Sequence, residues 1–168
     1  MIYAVAQSLR MFSEQAGSHR SNILVIGESR DRGSETKLET LTQKIQSTAV
    51  TIYGLRYSAY WTAFTTKPED YTPSGGDLLT GVGEVARLGK QNTMEALTDL
   101  TGGLTAGFET KSKIEKNLIQ LSQDIHGRYL VSFVPAEPGA RMFHRVSIRI
   151  RNHPDAIVRT RPGYWDGV

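Results

Sequence analysis

Two stretches of this sequence gather residues that could do chemistry. The first is Gly27-Glu28-Ser29-Arg30-Asp31, which places two carboxylates, a hydroxyl and a guanidinium directly after an apolar run. Its spacing is that of a Gly-x-Ser-x-Gly nucleophile turn with Asp31 in place of the second glycine. A tight elbow needs a small residue there, and a hydrolase also needs a base. His19, His126, His144 and His153 give no order from which to choose one. A polar loop at a sheet end is therefore the better reading, and a hydrolase using Ser29 stands as the alternative. The segment from Gly27 to Gly33 lacks the P-loop lysine and the Gly-x-Gly-x-x-Gly pattern, so it does not read as a phosphate cradle. The histidines show no metal-ligand spacing. His126 falls at a helix end, where partial positive charge suits the local dipole.

The second stretch is basic: Arg141, Arg145, Arg149, Arg151, Arg159 and Arg161 cluster near the C-terminus. Such a ribbon suits phosphate or an acidic partner surface. It has no interleaved aromatic platform of the kind single-strand binders use. A solvated strand face is the better reading, with nucleic acid the weaker one. A third group, Tyr60, Trp61, Phe64 and Tyr71, either anchors a partner or pins a loop to the body.

The elements that would position these residues follow from periodicity. Ile2, Val5, Ala6, Leu9 and Phe12 mark one face of a helix. It begins at Met1 without an N-cap, which reads as sequence missing upstream. Ile23 to Ile26, ending in Gly27, reads as a strand buried on both faces. Thr36 and Glu39 form a candidate capping box before the stripe Leu38, Leu41 and Ile45. Val50 to Leu55 is a second buried strand. Helix and strand in alternation predict a parallel sheet with right-handed crossovers. Residues 58–92, rich in Gly, Pro and aromatics, break the rhythm as an insertion, with a short helix at Leu78 to Leu88. Met94, Leu97 and Leu100 mark a helix ended by Gly102-Gly103. Ser112 and Glu115 offer another capping box, and Ile114, Leu118, Leu121 and Ile125 another stripe. Tyr129 to Val134 reads as the third strand of the sheet. Phe143 to Arg151 alternates as a half-exposed strand with Ile157 to Arg161 as its hairpin partner. Tyr164 and Trp165 are expected to cover the core.

Composition bounds the function. The chain has 168 residues, 39% hydrophobic and 22% charged, which fits one globular domain. A net charge of +3 does not by itself argue for nucleic acid. No cysteine is present, which excludes disulfides and cysteine metal sites. No apolar run reaches the roughly 18 residues a membrane span needs. The first residues lack the basic leader and cleavage site of a signal peptide.

The order of these elements resembles part of a von Willebrand factor A domain. NILVIGESRDRGSETKLETLTQKIQSTAVTIYGLRYS resembles the fourth strand, loop, helix and fifth strand of that family, in particular the bacterial VWFA-related group typical of Acidobacteria. LTDLTGGLTAGFET resembles that group's helix end and short strand. IEKNLIQLSQDIHGRYLVSFVP resembles its last helix and following strand, and FHRVSIRIRNHPDAIVRTRPGYW its closing hairpin. The resemblance implies a Rossmann-like three-layer α/β sandwich, a partial von Willebrand A fold, in one domain over 1–168. It implies protein binding or assembly rather than catalysis, and an exported location. The family's metal-ion-dependent adhesion site uses Asp-x-Ser-x-Ser, which this chain lacks. Glu28 stands where that site usually has an aspartate. The expectation is therefore no cofactor, with Mg²⁺ or Mn²⁺ bound through Glu28 only if a missing N-terminal part supplies further ligands. A first strand without its family neighbour exposes an apolar edge, so a protein partner, including a homodimer through that edge, is expected. The candidate binding residues are Glu28, Ser29, Asp31, Arg56 and Tyr57 beyond the strand ends, with Tyr60 and Trp61 in the insertion.

Overall fold

The computed structural model describes residues 1–14, 21–31, 33–57, 92–134, 143–153 and 155–165. The insertion and its expected helix at Leu78 to Leu88 lie outside the described residues, apart from Asn92. Among the described residues the chain is mixed α/β, with four helices, a three-stranded parallel sheet and a two-stranded antiparallel one. Helix α1 (Ile2–Glu14) leads to strand β1 (Ser21–Gly27), helix α2 (Leu38–Gln46) and strand β2 (Val50–Tyr57). Helix α3 (Thr93–Thr101), strand β3 (Thr105–Phe108) and helix α4 (Lys111–His126) follow, and β4 (Phe143–Arg145) pairs with β5 (Gly163–Trp165).

The parallel sheet runs in the order β1-β2-β3. On one face, Ile2, Val5, Ala6 and Leu9 of α1 join Leu38, Leu41 and Ile45 of α2, Leu97 of α3, and Ile23, Val50 and Ile52 of the strands. The helical spacing of the first segment thus becomes a buried stripe. On the other face, Tyr53 and Leu55 pack with Leu121 of α4. Leu41, Ile45, Ile52, Leu55 and Leu97 are all fully buried. Each such side chain contributes about 2 kcal/mol of transfer free energy.

Helix α3 ends as its glycines dictate. Gly102 takes the left-handed conformation, φ 69°, as the C-cap. Gly103 passes so close to the Ile52 carbonyl that a Cβ there would collide with it. The two expected capping boxes do not form. Helix α2 starts at Leu38, so Lys37 is its N-cap and makes no side-chain cap bond. Helix α4 starts at Lys111, capped by the Thr110 hydroxyl, which accepts from the Lys113 amide at 3.3 Å and leaves Ser112 inside the helix.

Four further expectations need correction. Tyr129 to Val134 is not a sheet strand, because the edge of β2 that it would join is already filled. The Ile52 amide donates to the Thr101 hydroxyl at 2.9 Å, the Gly54 amide to the Leu104 carbonyl at 2.9 Å, and Gly54 to Tyr57 pair with β3. The 129–134 segment has no regular secondary structure and is exposed instead. Strand β1 is not buried on both faces: Leu24 and Ile26 are 43% and 60% exposed, since α4 covers only β2 and β3. The hairpin partner is Gly163–Trp165 rather than Ile157 to Arg161. Tyr164 stacks on His144, with ring centroids 5.0 Å apart, so it covers the hairpin rather than the main core.

Two arginines explain the shifted hairpin. The Arg159 guanidinium pairs with Asp124 of α4. Arg161 donates to four carbonyls, those of Ile45 (3.4 Å), Gln46 (3.5 Å), Thr48 (2.5 Å) and Val50 (2.7 Å). It therefore caps the end of α2, where orphan carbonyls and the helix dipole both favour a cation. Replacing Arg161 with Met leaves those carbonyls without their donor and should destabilise the fold by about 2 to 3 kcal/mol. Arg161→Lys keeps the charge but not the planar fork and should recover only part of that loss. Urea denaturation of the two variants measures both.

Candidate functional site

Parallel strands bring their carboxyl ends together, and open α/β sheets bind ligands beyond that end. Here Gly27 pairs with Arg56, and Arg56 with Gly107, across the three strands. The backbone thus carries Glu28, Ser29, Asp31, Arg56 and Tyr57 to one end of the sheet. Tyr60 and Trp61 lie outside the described residues.

Arg56 and Tyr57 are exposed. The Arg56 guanidinium lies beside Gly107, where a Cβ would sit 3.8 Å from its Nη2. The Tyr57 ring tilts against Phe108 of β3 with centroids 6.1 Å apart. Glu28 and Ser29 are half-buried. The Ser29 carbonyl accepts from the Met94 amide at 3.0 Å, tying the loop to α3. Among the described histidines, His126 contacts the Ser122 carbonyl at 2.7 Å through Nδ1, and His144 stacks on Tyr164.

Asp31 has a role that its sequence neighbourhood hides. Its Oδ1 accepts from the Ile2 amide at 2.9 Å and lies 2.7 Å from the Met1 nitrogen. The Ser34 hydroxyl donates to Oδ1 at 2.8 Å and the Ser34 amide to Oδ2 at 3.2 Å. Asp31 therefore caps α1 from 29 residues away. Its own amide donates to the Thr93 hydroxyl at 3.1 Å, so the loop is clamped between the first turns of α1 and α3. Burial alone would raise the carboxyl. The hydrogen bonds from the Met1 nitrogen, Ile2 and Ser34 outweigh it and bring Asp31 from 3.8 down to about 2.

A Mg²⁺ or Mn²⁺ ion needs oxygens converging from several groups. The Asp31 oxygens are turned to α1 and Ser34, and among the described residues no three His, Asp or Glu side chains come together.

A second polar cluster, not picked out by sequence reasoning, lies on the α4 side of β2. The Tyr53 hydroxyl donates to Asp124 at 2.9 Å. Arg128 donates to Asp124 at 3.1 Å, to the Thr51 hydroxyl at 3.2 Å and to the Gly102 carbonyl, and lies 5.2 Å from the Tyr53 ring centroid. Burial and the bond to Asp124 push the Tyr53 hydroxyl up to about 12. Burial would raise Asp124, but Tyr53, Arg159 and Arg128 hold it below the usual carboxylate range. The cluster fastens the end of α4 and the C-terminal arm to β2. Only the four-residue step from Asp124 to Arg128 was visible in the sequence. Among the described residues no buried side-chain nitrogen or oxygen lacks a partner.

Comparison with family models, curated proteins and solved structures finds no match. No helix of the described residues is long and apolar enough to cross a membrane.

The Asp31 clamp has a pH signature. A carboxyl lowered on folding stabilises above its unfolded value, and that stability is lost as pH falls from 3.8 towards about 2. Asp31→Ala should cost about 1 kcal/mol at neutral pH. It should also flatten the decline in stability over that acid window, as read from urea midpoints against pH.

Proposed function

We propose that the chain is a protein-binding or assembly module of the von Willebrand factor A type, built on a Rossmann-like sheet with a degenerate metal site. The supporting observation is the state of β1. Among the described residues it pairs only with β2. Leu24 and Ile26 stand beside Tyr53 and Leu55 in register, yet among the described residues a helix covers only the latter pair. An open edge and a bare apolar strip thus occur on the same strand. Ser21–Gly27 contains no charged residue and no proline, so the strand's own residues do not protect that edge from pairing. A second copy of the chain is the occupant that suits it. Antiparallel self-pairing centred on Leu24 sets Asn22 opposite Ile26 and Ile23 opposite Val25, without like charges meeting inside the strand.

Sedimentation equilibrium tests this reading. The chain should form a dimer, and Leu24→Lys with Ile26→Lys should return it to a monomer with unchanged far-UV circular dichroism. A wild-type monomer at every concentration examined would overturn the proposal. Titration calorimetry addresses the metal: Mn²⁺ should give no saturable heat with this chain, since no three His, Asp or Glu side chains come together among the described residues.

A further inference from the structure

Past Arg145 the hairpin stops pairing, although its sequence keeps alternating. Val146, Ile148 and Ile150 alternate with Arg145, Ser147, Arg149 and Arg151. The Val146 amide donates to the Pro162 carbonyl at 2.9 Å. Beyond it, the backbone from Ser147 to Arg149 has no hydrogen-bonded partner among the described residues. Extending the observed register would set 147–151 against 157–161. That arm is held elsewhere. Arg159 is on Asp124, Arg161 is on the α2 carbonyls, and the Thr160 backbone lies so near Gly102 that a Cβ there would come within 2.8 Å of it. The ladder is left open from Ser147 to Arg149, ahead of the turn in which the Ile150 carbonyl accepts from the His153 amide at 3.2 Å.

Its side chains are open as well. Arg145, Arg149 and Arg151 are exposed, and no carboxylate pairs with them among the described residues. Ile148 and Ile150 are 39% and 46% exposed. The uncharged Tyr129–Val134 segment reaches the same hairpin, where Phe133 meets the Tyr164 ring edge-on at 5.4 Å.

We propose that residues 145–151 bind an extended segment of a partner protein in which acidic residues alternate with aliphatic ones. Strand addition supplies the backbone bonds. Carboxylates meet Arg145, Arg149 and Arg151, and aliphatic side chains meet Val146, Ile148 and Ile150. Charge separates this occupant from the others. A second copy sets arginine near arginine on a chain of net charge +3. A nucleic acid satisfies the arginines but finds aliphatic side chains, not aromatic ones, alternating with them along the strand. The surface is distinct from the β1 edge, and its test is independent of dimerisation.

Fluorescence anisotropy with a labelled peptide of alternating glutamate and valine reads this directly. The full chain should bind it saturably, and more weakly as salt rises. Arg149→Glu with Arg151→Glu should weaken binding about tenfold or more. Both arginines are exposed, so circular dichroism should be unchanged. The same peptide with alternate amides N-methylated keeps its charge but loses its ladder donors and should also bind about tenfold more weakly. Equal affinity for the methylated peptide or for an oligothymidine would reduce the site to a general polyanion patch and overturn the proposal. So would a failure of the wild-type chain to bind the parent peptide.

Discussion

Everything described here leans on β2, because that strand uses all of its surfaces. One edge pairs with β1 from Val50 to Arg56. The other is taken in turn by the Thr101 hydroxyl, the Leu104 carbonyl and β3. One face carries Val50 and Ile52 into the α1–α2–α3 core, and the other carries Tyr53 and Leu55 under α4. A parallel strand needs this enclosure, since its backbone groups and both side-chain faces must leave water together. β1 is also rich in aliphatic residues but, among the described residues, has only half of the enclosure. The contrast between two neighbouring strands of one sheet is what makes the β1 surface informative.

The C-terminal arm is organised by a different force. It contributes only three residues of ladder, and it is held by guanidinium groups that find oxygen. Arg161 meets the carbonyl-rich end of α2, and Arg159 joins the carboxylate that Arg128 and Tyr53 already share. Arginine suits both places because its planar fork serves several acceptors while remaining charged. These contacts account for the arm's path and for the open stretch after β4.

The local elements were legible in the sequence. The stripes at Ile2 to Leu9, Leu38 to Ile45 and Met94 to Leu100, and the β-branched runs of β1 and β2, all depend on neighbours three, four or two residues away. Competition for an edge was not legible. Tyr129 to Val134 has stronger strand composition than Thr-Ala-Gly-Phe of β3, yet β3 holds the place because Gly102 and Gly103 turn the chain straight back onto β2. The sheet-end residues Glu28, Ser29, Asp31, Arg56 and Tyr57 were locatable from strand order alone. What Asp31 does there was not, since its partners at Ile2 and Thr93 are 29 and 62 residues distant. Arg161 was hidden in the same way among its neighbouring arginines, because burial distinguishes it and spacing does not.

The contact between Arg161 and Val50 spans 111 residues. During synthesis the end of α2 therefore emerges long before its cap exists, and water must serve those carbonyls in the interval. Contacts that join residues so far apart slow folding, because loop-closure entropy is spent before the contact can form.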